Sequence, residues 1–159
     1  MPKSSENSSK TTAVIVGVGN LLLRDEGVGI HAVRALQELD LPDNVCIVDA
    51  GTAPDLVAYS ASGARLIIVD AAKAGGKPGT IYRFTPDDLE FKTTKLISLH
   101  EIGVRESLEM MRLAKNQPEA TVIIGIEPGE IDWGMALSPV LQSRMPEIIK
   151  VILREIGAR

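Results

Sequence analysis

The apolar run Ala13-Val14-Ile15-Val16-Gly17-Val18-Gly19-Asn20 leads through Leu21-Leu22-Leu23-Arg24 into the acidic pair Asp25-Glu26 and then Gly27. An apolar run without polar alternation is the pattern of a strand covered on both faces. Its end in two glycines calls for a sharp turn at the strand's carboxyl end. Helices must then cover both faces, and in such folds ligands gather at the carboxyl edge of the sheet. The acids fall where a ligand would meet the chain.

The rest of the sequence fits this frame. Residues 25–39 read as a helix with the apolar stripe Val28, Ala32, Ala35, Leu36 and Leu39. Gly27 and Gly29 in its first turn each cost about 1 kcal/mol relative to alanine, which suits a place where backbone or ligand approaches closely. Val45–Asp49 is a second strand, residues 55–60 a short helix, and residues 65–70 a third strand ending in Asp70. Gly75-Gly76-Lys77-Pro78-Gly79 is too short for a helical crossover, so residues 80–84 are expected to return antiparallel as an edge strand. Residues 92–96 read as loop. Ser98-Leu99-His100-Glu101 fits a capping box, placing His100 in the first turn of a helix to about residue 115 with Val104, Leu108 and Met111 inward. Residues 120–126 form the last strand. A loop over 127–137 carries Trp133, and Ser138-Pro139 opens a final helix buried along Leu141, Met145, Ile148, Ile149, Ile152 and Ile156. The order β-α-β-α-β-β-α-β-α implies an α/β fold with a mostly parallel sheet between helices. One domain is expected over residues 12–159, after a polar, disordered tail over 1–11.

Composition narrows the function. The 159 residues carry a formal charge of -4, and only 3% are aromatic. Neither a basic patch nor a base-stacking platform is indicated, so no nucleic-acid partner is expected. No apolar run approaches the roughly 20 residues that span a bilayer, and the polar N-terminus resembles neither signal peptide nor anchor. A cytoplasmic protein without a membrane partner is expected. The single cysteine, Cys46, excludes an intramolecular disulfide and reads as a buried strand residue between Val45 and Ile47.

Polar residues at the carboxyl ends of strands form a short set: Glu26 after the first strand, Asp49 at the end of the second, Asp70 at the end of the third and Glu127 after the last. His100 follows the antiparallel strand. Carboxylates gathered on one edge repel, and a cation or a shared proton relieves them. Two carboxylates and an imidazole make a coordinating set for a borderline divalent metal with positions open for water or substrate. For Asp49, before Gly51-Thr52, a turn-forming role stands beside a functional one. Glu127 either anchors its loop or serves the site, and His31 reads as a surface histidine beside Arg34 and Glu38. The third glycine of a dinucleotide loop is missing after Gly17-Val18-Gly19, and Asp25-Glu26 would oppose a pyrophosphate. There is no Gly-x-Ser-x-Gly elbow, zincin motif or Walker loop.

With Asp49-Ala50-Gly51-Thr52, Ile67-Ile68-Val69-Asp70-Ala71, His100-Glu101-Ile102-Gly103 and Gly125-Ile126-Glu127-Pro128 following the glycine–acid stretch in order, the chain resembles the hydrogenase maturation proteases, endopeptidases that process the large subunit of [NiFe] hydrogenases. The resemblance covers residues 13 to about 156. It implies a three-layer α/β/α sandwich around a twisted five-stranded sheet. It implies removal of a C-terminal peptide from the large-subunit precursor once nickel is inserted, by metal-dependent or aspartic-type chemistry. By motif, the metal contacts and catalytic groups map to Glu26, Asp70 and His100. Asp49 is the extra carboxylate to test as base or supporting group. Nickel is expected to arrive bound in the substrate, with no organic cofactor, and the enzyme is expected to be a monomer. A family member of altered target, a metal-binding chaperone that docks without cutting, and a nucleotide-binding α/β module are the competing readings.

Overall fold

In a computed structural model, the residues described are 10–59, 61–91, 98–99, 104–114 and 117–157. The elements are β1 (Ala13–Gly17), a single 3-10 turn (Arg24–Gly27), α1 (Val28–Gln37), β2 (Val45–Asp49), α2 (Leu56–Tyr59), β3 (Arg65–Lys73), β4 (Ile81–Phe84), α3 (Pro86–Phe91), β5 (Ser98–Leu99), α4 (Val104–Leu113), β6 (Ala120–Ile126) and α5 (Pro139–Gly157). The main sheet runs β2-β1-β3-β6-β4, with the two-residue β5 beside the end of β3. β1, β2, β3 and β6 pair in parallel, and β4 returns antiparallel to β6 at the edge. This is the five-stranded mixed sheet that the sequence order implies.

Strand residues alternate between two cores, as the two-residue period of a strand requires. Val14, Val16, Leu66, Ile68 and Ile123 pack with Leu56 of α2 and with Val104, Leu108 and Met111 of α4. Ile15, Ile67, Val69, Val122 and Ile124 pack with Val28, Ala32, Val33 and Leu36 of α1 and with Leu141, Ile148 and Ile152 of α5. Each fully buried Leu or Ile contributes about 1.5–3 kcal/mol, so both helical layers are strongly attached. No helix among the described residues is long and apolar enough to cross a membrane.

Glycine sets how closely α1 packs on the sheet. A Cβ on Gly17 would lie 2.5 Å from the Gly29 carbonyl oxygen and 2.6 Å from a Val33 methyl. A Cβ on Gly29 would lie 2.2 Å from the Val69 oxygen and 2.4 Å from the Val18 oxygen. The helix-weakening cost of Gly29 is therefore offset by packing backbone against backbone.

Several expectations are corrected. Asp70 does not end β3, which continues to Lys73 because β6 pairs with Asp70 and Ala71 and β5 with Ala72 and Lys73. Ser98 is not the N-cap of a helix. It pairs with Lys73 in β5, because the overhanging end of β3 offers the Ser98-Leu99 backbone a ladder, and α4 is described over Val104–Leu113. The helix expected from residue 25 starts as a 3-10 turn, with α1 proper beginning at Val28. α3 was not anticipated, although Thr85-Pro86-Asp87-Asp88 signals it: the Asp88 carboxylate accepts from the Thr85 amide (2.9 Å) and hydroxyl (3.1 Å). Cys46 is exposed, not buried, because β2 is an edge strand and Val48, not Cys46, reaches the α2–α4 core. The loop expected over 92–96 and most of the expected tail lie outside the described residues.

Candidate active site at the carboxyl edge of the sheet

The turn after β1 is closed by the protein itself. The amide of Val18 donates to the Val69 oxygen (2.9 Å), that of Gly19 to the Gly51 oxygen (2.9 Å) and that of Asn20 to the Glu26 oxygen (3.1 Å). A Cβ on Gly19, whose φ is 159°, would stand 2.3 Å from the same Glu26 oxygen. A phosphate cradle needs free amides, and these three are spent on carbonyls. The last of them holds the main chain of Glu26, whose own amide donates to the Leu23 oxygen (3.2 Å). Glu26 is half-buried.

Its neighbour Asp25 has a different role, one that sequence reasoning missed. Its side chain is fully buried. Oδ2 accepts from the amides of Gly129 (2.9 Å) and Glu130 (2.7 Å) and from the Ser138 hydroxyl (2.7 Å), while Oδ1 accepts from the Ser138 amide (2.7 Å). Burial alone would raise the carboxyl's pKa, but the hydrogen bonds from Glu130, Ser138 and Gly129 outweigh it and hold the group below its ordinary value. The Asp25 amide returns a bond to the Glu130 oxygen (3.1 Å). Around it, Arg24 sits at a left-handed φ of 47°. Its amide donates to the Gly134 oxygen (2.9 Å) and its guanidinium meets Glu130 at 2.6 Å. The partners lie more than a hundred residues away, and no local pattern announces them.

Asp70 is fully buried and accepts from the Ala71 amide at 2.8 Å. The β1–β3 ladder ends at Val69, so Asp70 is the first residue of β3 beyond β1, still covered by β6 on its other side. That position buries it while leaving it at the edge of the parallel sheet. The same Val69 carbonyl receives Val18 and packs against Gly29, so the segments bearing Glu26 and Asp70 meet there.

Asp49 is exposed. It accepts from the Gly51 amide (3.1 Å) and lies 3.5 Å from Arg34 Nε, the geometry of a turn-former. Glu127 is 5% exposed, and its Oε1 accepts from the amides of Ala74 (3.0 Å) and Gly76 (2.8 Å) and from the Tyr82 hydroxyl (3.1 Å). It anchors the β3–β4 turn. His31 is half-buried rather than a plain surface residue, with Nε2 3.2 Å from the Met135 oxygen. Burial lowers its pKa, aided by nearby Arg34 and opposed by the Met135 carbonyl and Asp25. His100 lies outside the described residues. Leu99, just before it, pairs with Ala72, two residues beyond Asp70.

A cleft of about 420 Å³ runs along this edge, lined by Lys73, Gly76, Pro78, Glu127, Gly129 and Ile131. Leu22, Trp133 and Met135 are exposed nearby on loops joined by a backbone bridge between Leu23 and Gly134. Among the described residues, no cluster of three or more His, Cys, Asp and Glu side chains could hold a metal ion.

Comparison with known proteins agrees with this architecture. The family model for HycI, hydrogenase maturation protease, matches residues 30–155. The hydrogenase expression/formation protein HupD of Bradyrhizobium diazoefficiens is 35% identical, over 99% of this chain and 84% of its own. The hydrogenase 2 maturation protease of Escherichia coli is 32% identical, over 91% and 92%. Among solved structures, the hydrogenase maturating endopeptidase HybD from E. coli superposes with a TM-score of 0.78 at 27% identity, covering 92% of each chain. The [NiFe] hydrogenase maturation protease HybD from Thermococcus kodakarensis gives 0.75 at 27% identity, over 90% of this chain and 97% of that one. With a fold shared with these structures and a family match over most of its length, the chain belongs to the hydrogenase maturation protease family.

Proposed function

We propose that this protease removes a C-terminal peptide from the large-subunit precursor of a [NiFe] hydrogenase, after nickel has been inserted, and that the nickel in the precursor is its recognition mark. The observation that carries the reading is the meeting of the Glu26 and Asp70 segments at one carbonyl, that of Val69, on the carboxyl edge of the sheet. A cation delivered by the substrate would be attracted by both carboxylates at once. The pairing of Leu99 with Ala72 brings the chain preceding His100 to the same edge, which supports His100 as the third contact. Exposed Trp133, Met135 and Leu22 beside the site suit a protein substrate better than a small molecule.

In this mechanism Glu26, Asp70 and His100 grip the substrate's nickel. The scissile carbonyl is polarised or a water is activated beside it, and a nearby carboxylate takes the proton. Asp49 is the weaker candidate for that base, since its carboxylate already serves Gly51 and Arg34. A nucleotide-binding role is disfavoured because the amides of Val18, Gly19 and Asn20 are already bonded. The target is proposed to be met in the cytoplasm by a monomeric enzyme.

The test is to mix the protein with nickel-loaded and nickel-free precursor and weigh the products. Cleavage of the nickel-loaded form alone is expected; cleavage of both removes nickel as the recognition mark, and binding without cleavage of either favours a chaperone. Asp70→Asn is expected to abolish processing while the circular dichroism spectrum is kept, and undiminished cleavage would remove Asp70 from the site.

A further inference from the structure

We infer that Asp25 is a positioning residue for Glu26, fixing the height and direction of the Glu26 main chain by plugging the preceding residue into the segment that joins β6 to α5. The inference rests on the reading of Glu26 as a metal contact.

Three observations carry it. First, the carboxylate of Asp25 accepts all four of its bonds from Gly129, Glu130 and Ser138, none from its own turn. It therefore ties the Glu26 turn to the remainder of the sheet edge rather than stabilising the turn internally. Second, the main chain on both sides of the carboxylate is also committed. The Arg24 amide bonds Gly134, the Asp25 amide bonds Glu130, and the Glu26 oxygen receives Asn20. The backbone of Glu26 is thus fixed from both sides. Third, Ser138 caps α5: its hydroxyl donates to Asp25 while its oxygen lies 3.5 Å from the Leu141 amide. The start of a 19-residue helix is thus the anchor for the Glu26 turn. A site that must grip an ion needs its ligands held to a fraction of an ångström by such supporting bonds.

Asparagine at position 25 cannot restore the clamp. Whichever way its amide is turned, an NH₂ group faces a donor. Ser138→Ala is milder, removing one donor and leaving the three backbone amides.

The experiment compares wild type, Asp25→Asn, Ser138→Ala and Glu26→Gln. Each is measured for folded fraction by urea titration, for Ni²⁺ binding to the purified protein by calorimetry, and for kcat and KM on nickel-loaded precursor. Asp25→Asn is expected to weaken Ni²⁺ binding about tenfold per folded molecule and to lower kcat by a similar factor with KM within about twofold. Ser138→Ala should shift both in the same direction by about threefold, and Glu26→Gln should lose most binding. If Asp25→Asn fails to fold, Ser138→Ala decides. Unchanged Ni²⁺ affinity and kcat per folded molecule, with only stability reduced, would overturn the inference and leave Asp25 a structural clamp. If the wild type binds Ni²⁺ but cuts no precursor, the proposed function falls while the binding comparison still judges Asp25. If the wild type neither binds nor cuts, both fall.

Discussion

The two ends of α5 each meet a buried acid, held by different means. At the start of the helix, on the carboxyl edge of the sheet, Asp25 is held by three backbone amides and one hydroxyl. Near its end, on the opposite edge, Glu155 is held by guanidinium groups, with Arg65 at 2.6 Å and Arg83 at 2.5 Å. Burial works against the ionised form of Glu155, but the bonds and charges of Arg83 and Arg65 prevail and keep its pKa low. The difference teaches what each edge must resist. Backbone donors cannot swing away or be shared with water, so the Asp25 end locks loops in one arrangement. Arginine side chains can rotate, and the Arg83 side chain is already half exposed, so the Glu155 end can yield without the sheet edge moving.

The largest break in this comparison should come from removing each acid in turn. Asp25→Ala leaves several donors without a charged acceptor. At about 1.5–3 kcal/mol per such bond, with water recovering part, a loss on the order of 3–5 kcal/mol is expected in urea unfolding. Glu155→Ala should cost about 2 kcal/mol, less than a fully buried pair, because the exposed guanidinium of Arg83 rehydrates. Equal losses, or a larger one at Glu155, would reverse the ranking of the two edges.

Acid should act next, through Glu155. Its folded-state pKa lies below the ordinary 4.5. Between those two values the unfolded chain binds a proton that the folded chain does not, so stability rises with pH across that window. The contribution is therefore complete above 4.5 and disappears as the pH falls through the lower folded value. Glu155→Gln should flatten the urea midpoint against pH below 4.5, and an unchanged slope would show that the Arg65–Glu155–Arg83 group does not titrate in this way. The smallest effect is expected at Cys46, on the uncovered edge strand. Cys46→Ser should change stability by no more than about 0.5 kcal/mol, and the native thiol should react with a disulfide reagent without prior unfolding. A protected thiol would show that β2 is covered in solution.

The elements that were legible in the sequence are those whose information is local. β2 and β6 fall at the expected residues because each is an unbroken apolar run between turn residues. β4 returns antiparallel because the turn before it is too short to cross over. α5 begins where Ser138-Pro139 says it should. The errors share a cause in pairing at a distance. Ser98 looked like a helix cap because its four-residue pattern fits one, yet the overhang of β3 recruits it as a strand. Cys46 looked buried because apolar neighbours suggest burial, yet β2 lies at the sheet edge.

The site divides along the same line. Sequence alone set the residue types and their order: glycines that permit a tight turn, Glu26 behind them, and Asp70 after four apolar strand residues. Only the tertiary structure decided their roles. It spent the turn's amides on carbonyls, carried β3 past β1 so that Asp70 is buried at an edge, and made Asp49 and Glu127 acceptors for turns. It also separated two adjacent acids, committing Asp25 to residues more than a hundred positions away and leaving Glu26 half-buried at the sheet edge. Sequence could not make that distinction, because a carboxylate's role depends on which donors surround it, and those donors come from parts of the chain brought together only by folding.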